Sequence, residues 1–234
     1  MSLLSTLIEI DQSISKTLIP WNANARIIRG IMDLGADNNL FKGVVPASVI
    51  WYLWGLPNDR IKRHLQLIAT FITAAIAIAV GRILANFMPF RVRPIGIPEI
   101  AGPYVKQSDF IEQWSAMPSD HATMFFALAS CILLISKSAG VFLLLHAAVI
   151  VCASRVLLGL HFFSDVVVGG LIGIAIALAL MPNLVRVIMY LRARYDFSLI
   201  SKFRYPLLFL VTFQFATMFD DVRRFAEKLV HFLF

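Results

Sequence analysis

Arg155, His161 and Asp165 fall at intervals of six and four residues in the segment SRVLLGLHFFSD, between two long apolar runs. A charged side chain at membrane depth costs about 2.5 to 3.5 kcal/mol on the mildest insertion scale, so three ionisable groups held together there point to chemistry. A histidine near a carboxylate is a nucleophile or a base, and an arginine is a permanent cation with paired donors. Two more clusters have the same character. Arg91-Val92-Arg93-Pro94 follows one apolar run, and Pro118-Ser119-Asp120-His121 opens another. Imidazoles, guanidinium groups and a hydroxyl together suit work on an oxyanion such as phosphate.

The elements that position these groups follow from composition. Of 234 residues, 59% are hydrophobic and 15% charged, outside the range of soluble domains. A bilayer core of about 30 Å takes roughly 20 mostly apolar residues per helix. The apolar runs predict spans near 43–57, 66–88, 121–136, 140–158, 165–182 and 205–219. The expected fold is therefore all-α: a polytopic helical bundle of about six spans, in one domain over residues 1–234, with its site at one membrane face. Glu9 and Asp11 interrupt the stretch where a secretory signal needs an apolar core. Leu4, Leu7, Ile8, Ile14 and Leu18 recur at helical spacing instead, so residues 1–40 are expected to form an amphipathic interfacial segment, as is the tail 222–234.

Cys131 and Cys152 both lie inside expected spans, which offers neither a disulfide framework nor a zinc site. The net charge of +7 comes from Lys and Arg in short loops without interleaved aromatics, which argues against nucleic acid as a partner. It reads better as an orientation signal. Arg60, Lys62, Arg63, Lys137, Arg186, Arg192, Arg194, Lys202 and Arg204 mark one side as cytoplasmic, leaving the loops 89–120 and 159–164 on the other.

Taken together, the three clusters resemble the type 2 phosphatidic acid phosphatase (PAP2) superfamily. Its members carry a lysine and an Arg-Pro pair, then Pro-Ser-Gly-His, then Ser-Arg, His and Asp at fixed spacing. The resemblance covers residues 82–165, and the third element matches in full. It departs in two places: Asn86 stands where the family has its lysine, and Asp120 where it has glycine. The Ser-Asp-His form is similar to that of bacterial undecaprenyl pyrophosphatase-like members. Arg82, one helical turn before Asn86, has the reach to supply the missing charge.

The resemblance implies a membrane lipid substrate within the bilayer, and a bacterial inner membrane with the site facing the periplasm or exterior. The residues fit that chemistry. Pro118 and Ser119 start a helix whose first amides, at Asp120 and His121, lack intrahelical partners and attract an anion. Ser119 adds a hydroxyl, while Arg93 and Arg155 grip phosphate oxygens. His161 is the expected nucleophile, forming a phosphohistidine, and Asp165 the acceptor for its far ring nitrogen. His121 is the expected acid for the departing lipid oxygen and then the base for water. Neither a metal nor another cofactor is called for, because the cationic donors already neutralise the phosphate.

Taken singly, each residue has a plainer use. Asp165 could cap the helix after it, His161 could bond a carbonyl, Arg155 could anchor a span, and Arg91 could bind headgroups. The joint spacing favours catalysis, since anchoring has no need of it. His146 is expected to bridge helices, and His64 and His231 to lie outside any cluster. Glu99, Asp109 and Glu112 are assigned to a solvated loop, and Tyr104 and Trp114 to the interface. Gly169, Gly170 and Gly173 are expected to permit close helix packing. Two rival functions stay open: a lipid phosphotransferase using the same intermediate, and a non-catalytic binder of anionic lipid.

Overall fold

The computed structural model describes residues 3–101, 115–195 and 202–219, and among them the regular elements are all helical. Two helices lead in, α1 (Leu3–Asn24) and α2 (Arg26–Asp37). A π-turn, Leu40–Val44, then runs into α3 (Val45–Gly55), and α4 covers Arg60–Phe87. A turn at Pro94–Gly96 and a short α5 (Pro98–Ala101) precede α6 (Asp120–Ile135). One rod follows, made of α7 (Lys137–His146), a π-turn (Ala147–Cys152) and α8 (Ala153–Leu157). After it come α9 (Phe163–Arg194) and α10 (Arg204–Ala216).

Three of these are long and apolar enough to cross a membrane: Arg60–Phe87, Lys137–Leu157 and Phe163–Arg194. Helix α6, with 16 residues, is apolar but shorter. The expected span at 43–57 falls on the π-turn and α3, continuous from Leu40 to Gly55, and that at 205–219 on the 13-residue α10; the two pack against each other, and α3 also packs on α4. Helix α9 also runs well past the expected limit at 182, because Pro182 is absorbed inside it. The calls on 222–234, Tyr104, Asp109, Glu112, Trp114 and His231 lie outside the described residues.

The core joins Leu67 and Ala74 of α4, Met124, Leu128 and Ile132 of α6, and Leu143 of α7. Helices α6 and α9 meet backbone to backbone. A Cβ on Gly173 would lie 2.3 Å from the Thr123 carbonyl oxygen, and one on Gly169 2.5 Å from that of Ser119. Such small residues let two helices approach closely where apolar surface alone gives no drive to associate. Gly173→Ala is expected to lower stability by about 1 to 3 kcal/mol through overpacking. Thermal unfolding in detergent checks this; an unchanged midpoint would mean that the two helices part without penalty.

The amino-terminal helix differs from its expected form. Leu7, Ile8 and Trp21 of α1 are exposed, while its buried side holds Asp11, Ser15, Ile19 and Asn22. Its polar stripe faces the bundle, the sense in which polar groups join helices in an apolar solvent. Helix α2 exposes Ile27, Ile31 and Leu34, which recur on one face as in an interfacial helix.

Two residues near the other end also depart from expectation. Arg63, counted above as an orientation charge, is buried and donates to the carbonyls of Leu53, Leu56 and Asn58, which closes the end of α3. His64 stacks on Trp54 at 3.8 Å and bonds its carbonyl at 2.9 Å, so it fastens α4 to α3. His146 does bridge, reaching the Phe41 carbonyl at 2.7 Å.

Candidate active site

Main-chain hydrogen bonds bring the three sequence clusters to one end of the bundle. The Ile95 amide donates to the Gly159 carbonyl at 2.9 Å, the Ala116 amide to Arg91 at 2.9 Å, and the Ser119 amide to Asp165 at 3.1 Å. Gly159 turns the chain at a φ of 72°, a region open to glycine at little steric cost. Beyond it, the amides of Leu160 and His161 fold back onto the Arg155 carbonyl at 2.9 and 3.2 Å. The segment from Arg155 to His161 is thus a closed turn between α8 and α9. The site lies where α4 and α8 end and α6 and α9 begin, opposite Arg60, Lys137 and Arg194.

His161 is buried, and its Nδ1 lies 2.8 Å from the Ala116 carbonyl oxygen. A carbonyl only accepts, so Nδ1 carries the proton and Nε2 keeps its lone pair. Burial lowers the pKa of this ring below its usual value, opposed by the nearby Asp165 carboxylate and reinforced by Arg93. The neutral form is favoured.

Asp165 differs from its expected contact. Its Oδ2 lies 3.8 Å from His161 Nδ1 and accepts the Phe162 amide at 2.7 Å, while Oδ1 takes Arg91 Nη1 at 2.5 Å. The carboxylate caps α9 and faces the imidazole from just beyond bonding range. Ala116, rather than Asp165, fixes the tautomer. Arg91 is likewise no headgroup anchor: it is ion-paired to Asp165 and to Asp11 at 2.6 Å.

At the start of α6, Ser119 is fully buried, and its Oγ accepts the Ala122 amide at 3.4 Å as an N-cap. Its hydroxyl proton is left to donate. The expected free amide of His121 is instead taken by Asp120 Oδ1 at 2.8 Å. Asp120 Oδ1 also meets His121 Nδ1 at 2.9 Å, and Asp120 Oδ2 pairs with Arg82 at 2.6 Å. The Asp120 carboxylate therefore orients the imidazole rather than receiving an anion. His121 Nε2 accepts from Arg155 Nη2 at 2.5 Å, and the same Nη2 reaches the Ala36 carbonyl of α2 at 3.2 Å.

Arg93 Nη1 donates to the Leu160 carbonyl at 3.0 Å, beside His161. Burial lowers its pKa, an effect opposed by the Asp120 carboxylate, but a guanidinium starts too high to lose its charge. Asn86 is exposed on the last turn of α4, whereas Arg82 points into the cluster. An apolar cavity of about 500 Å³ begins at Val156 and Phe163, next to Arg155 and the start of α9. It continues between Leu18 of α1, Phe126 of α6, the π-turn before α8, and α9, past Cys152, Gly170 and Ile174.

Sequence reasoning missed Asp11, Ala116 and Ser164. The first had a signal, an acid among apolar residues, that was used only to argue against a leader segment. Ala116 acts through its backbone and leaves no signature in residue type.

A family model described as the PAP2 superfamily matches residues 65–189. The bacitracin transport permease protein BcrC of Bacillus licheniformis is 26% identical over 167 residues, spanning 66% of this chain and 77% of that protein. The crystal structure of a transmembrane PAP2 type phosphatidylglycerolphosphate phosphatase from Bacillus subtilis aligns over 82% of this chain and 89% of that one, at 21% identity and a TM-score of 0.46. The family match spans more than half of the chain and takes in all three clusters, and so the chain belongs to the PAP2 superfamily.

Proposed function

We propose that this membrane protein is a phosphatase that removes the terminal phosphate of a lipid phosphate or lipid pyrophosphate through a phosphohistidine on His161. One observation carries the reading: the Nδ1 proton of His161 is committed to Ala116, so Nε2 keeps its lone pair for attack beside Arg93, which also lies near the Arg155–His121 pair.

In the first step the Nε2 lone pair forms a bond to phosphorus as the bond from phosphorus to the lipid oxygen breaks. At rest His121 is neutral, its Nδ1 proton held by Asp120 and its Nε2 accepting from Arg155. The incoming phosphate, carrying one proton, draws Arg155 off Nε2, which takes up that proton and passes it to the leaving oxygen. Arg93, Arg155 and the Ser119 hydroxyl take the equatorial oxygens as charge builds on them. In the second step His121 accepts a proton from water, the water oxygen bonds to phosphorus, the N–P bond breaks, and inorganic phosphate leaves. Arg82 brings positive charge to the edge of this site in place of the lysine missing at Asn86. Asp165 faces the ring as it becomes cationic.

The apolar cavity beside Arg155 supports a lipid substrate, because a chain lying there leaves the headgroup at the polar cluster. The Ser-Asp-His form favours a polyprenyl pyrophosphate similar to undecaprenyl pyrophosphate. The site end lies opposite the Lys- and Arg-rich end, which suits an inner membrane with the reaction on the periplasmic or outer side.

The test is phosphate release in detergent, with a chelator present, from phosphatidate, phosphatidylglycerol phosphate, undecaprenyl phosphate and undecaprenyl pyrophosphate. Turnover is expected to persist in chelator and to be fastest on the pyrophosphate. Release from no member of the panel sinks the proposal. Activity that disappears in chelator and returns with magnesium sinks the metal-free mechanism.

A further inference from the structure

Asp11 lies on α1, outside the family-matched segment and outside all three clusters. It is nonetheless 3% exposed, and both of its carboxylate oxygens are engaged. Oδ1 accepts the Ser164 amide at 3.0 Å, and Oδ2 accepts the Ser164 hydroxyl and Arg91 Nη2, the latter at 2.6 Å. Arg91 Nη1 in turn donates to Ser164 Oγ at 2.8 Å and to Asp165 Oδ1 at 2.5 Å, and the guanidinium lies 4.1 Å over the Phe162 ring. One cation is therefore shared by two buried carboxylates, and the trio carries a net negative charge beside His161.

Resting on the phosphohistidine reading, we infer that Asp11 is a positioning residue for His161: by holding one edge of Arg91, it leaves the Asp165 carboxylate under-neutralised and turned toward the imidazole. The physical reason is a count of charges. When Nε2 bonds to phosphorus, the ring becomes cationic, and a nearby negative field lowers the energy of that state. An Arg91–Asp165 pair alone would be neutral and would supply little of it. Among the described residues, the other charged or titratable groups of this cluster are Arg93 from the loop after α4, Arg82 from α4, Asp120 and His121 from α6, and Arg155 from α8. A substitution at residue 11 leaves their charges unchanged.

Asp11→Asn keeps the size and removes the charge. Its kcat is expected to fall roughly 10-fold, the lower end of what supporting contacts around a reacting group contribute, with KM held. Less negative charge makes the imidazolium harder to form, so the acid limb of the pH–rate profile moves to lower pH. The same shift is read without turnover in ¹⁵N-histidine-labelled protein, where the His161 signal is identified by its loss in His161→Asn. Arg91→Gln deletes the shared cation and is expected to move the midpoint upward, which serves if Asp11→Asn fails to fold. The double variant restores the original count and returns the midpoint toward wild type.

An Asp11→Asn enzyme slowed by one factor at every pH, with the His161 midpoint unmoved, would make Asp11 a mere fastener for α1 and overturn the inference. An unmoved midpoint in Arg91→Gln does the same. If the wild-type protein releases no phosphate from any lipid, the proposed function fails, while the resonance titration still decides the part played by Asp11.

Discussion

On the proposed mechanism, His161→Asn is expected to abolish phosphate release, with a loss on the order of 10⁴-fold or more, because it removes the group proposed to bond to the substrate. Asparagine retains a side-chain amide that can bond the Ala116 carbonyl, so the turn from Arg155 to His161 is expected to hold. The deletion is then one of chemistry rather than of shape. Brief incubation with lipid labelled in its terminal phosphate, followed by an acid or alkaline quench, supplies a second readout. Wild-type protein is expected to carry label that survives alkali and is lost in acid, the behaviour of an N–P bond, and the variant to carry none. Substantial turnover in His161→Asn, or label of equal amount in both proteins, removes the nucleophile from the mechanism.

Arg155→Ala is expected to lower kcat/KM by roughly 10² to 10³-fold, the effect of losing one preorganised donor to a developing oxyanion. Two functions disappear with this side chain. The phosphate loses a cation, and His121 loses the contact that holds its Nε2 at 2.5 Å before substrate arrives. Arg155→Lys is expected to recover little, because an ammonium is a compact point charge without the planar fork that lets a guanidinium meet phosphate oxygens with paired donors. Steady-state kinetics on the best lipid of the panel checks both variants. Near-wild-type turnover in Arg155→Ala would assign the arginine to the α2 contact alone.

Much of the site was legible because its chemistry needs particular residue types at short intervals. Arg155, His161 and Asp165 lie within eleven residues, and Pro118 to His121 within four. What could not be read is whatever depends on distant segments meeting. Arg91 is 74 residues from Asp165 and 80 from Asp11, and no local pattern shows that one arginine joins both. The same holds for the Asp165 contact: a four-residue spacing suggests a direct bond to His161, yet the helix start claims one oxygen and Arg91 the other.

The fold followed the same rule. Hydropathy located α4, the α7–α8 rod and α9, whose lengths the bilayer dictates, and also the shorter α3, α6 and α10. Apolar runs register transfer into lipid, and they do not register where Gly55 and Pro57 end a helix or where α9 continues through Pro182. For α1, apolar periodicity joined exposed Leu7 and Ile8 to half-buried Ile14 and Leu18, whereas the face turned to the bundle carries Asp11, Ser15 and Asn22 beside Ile19. In an apolar surrounding the informative stripe is the polar one.

The links Ile95–Gly159, Ala116–Arg91 and Ser119–Asp165 are peptide to peptide. A scaffold tied in that way is indifferent to which functional groups hang from it. Exchange of a lysine for Asn86, or of a glycine for Asp120, alters the reagents without moving the bench on which they stand. Substrate preference can therefore drift within such a framework by changes in a few side chains, while the spacing of the reacting centres is inherited intact.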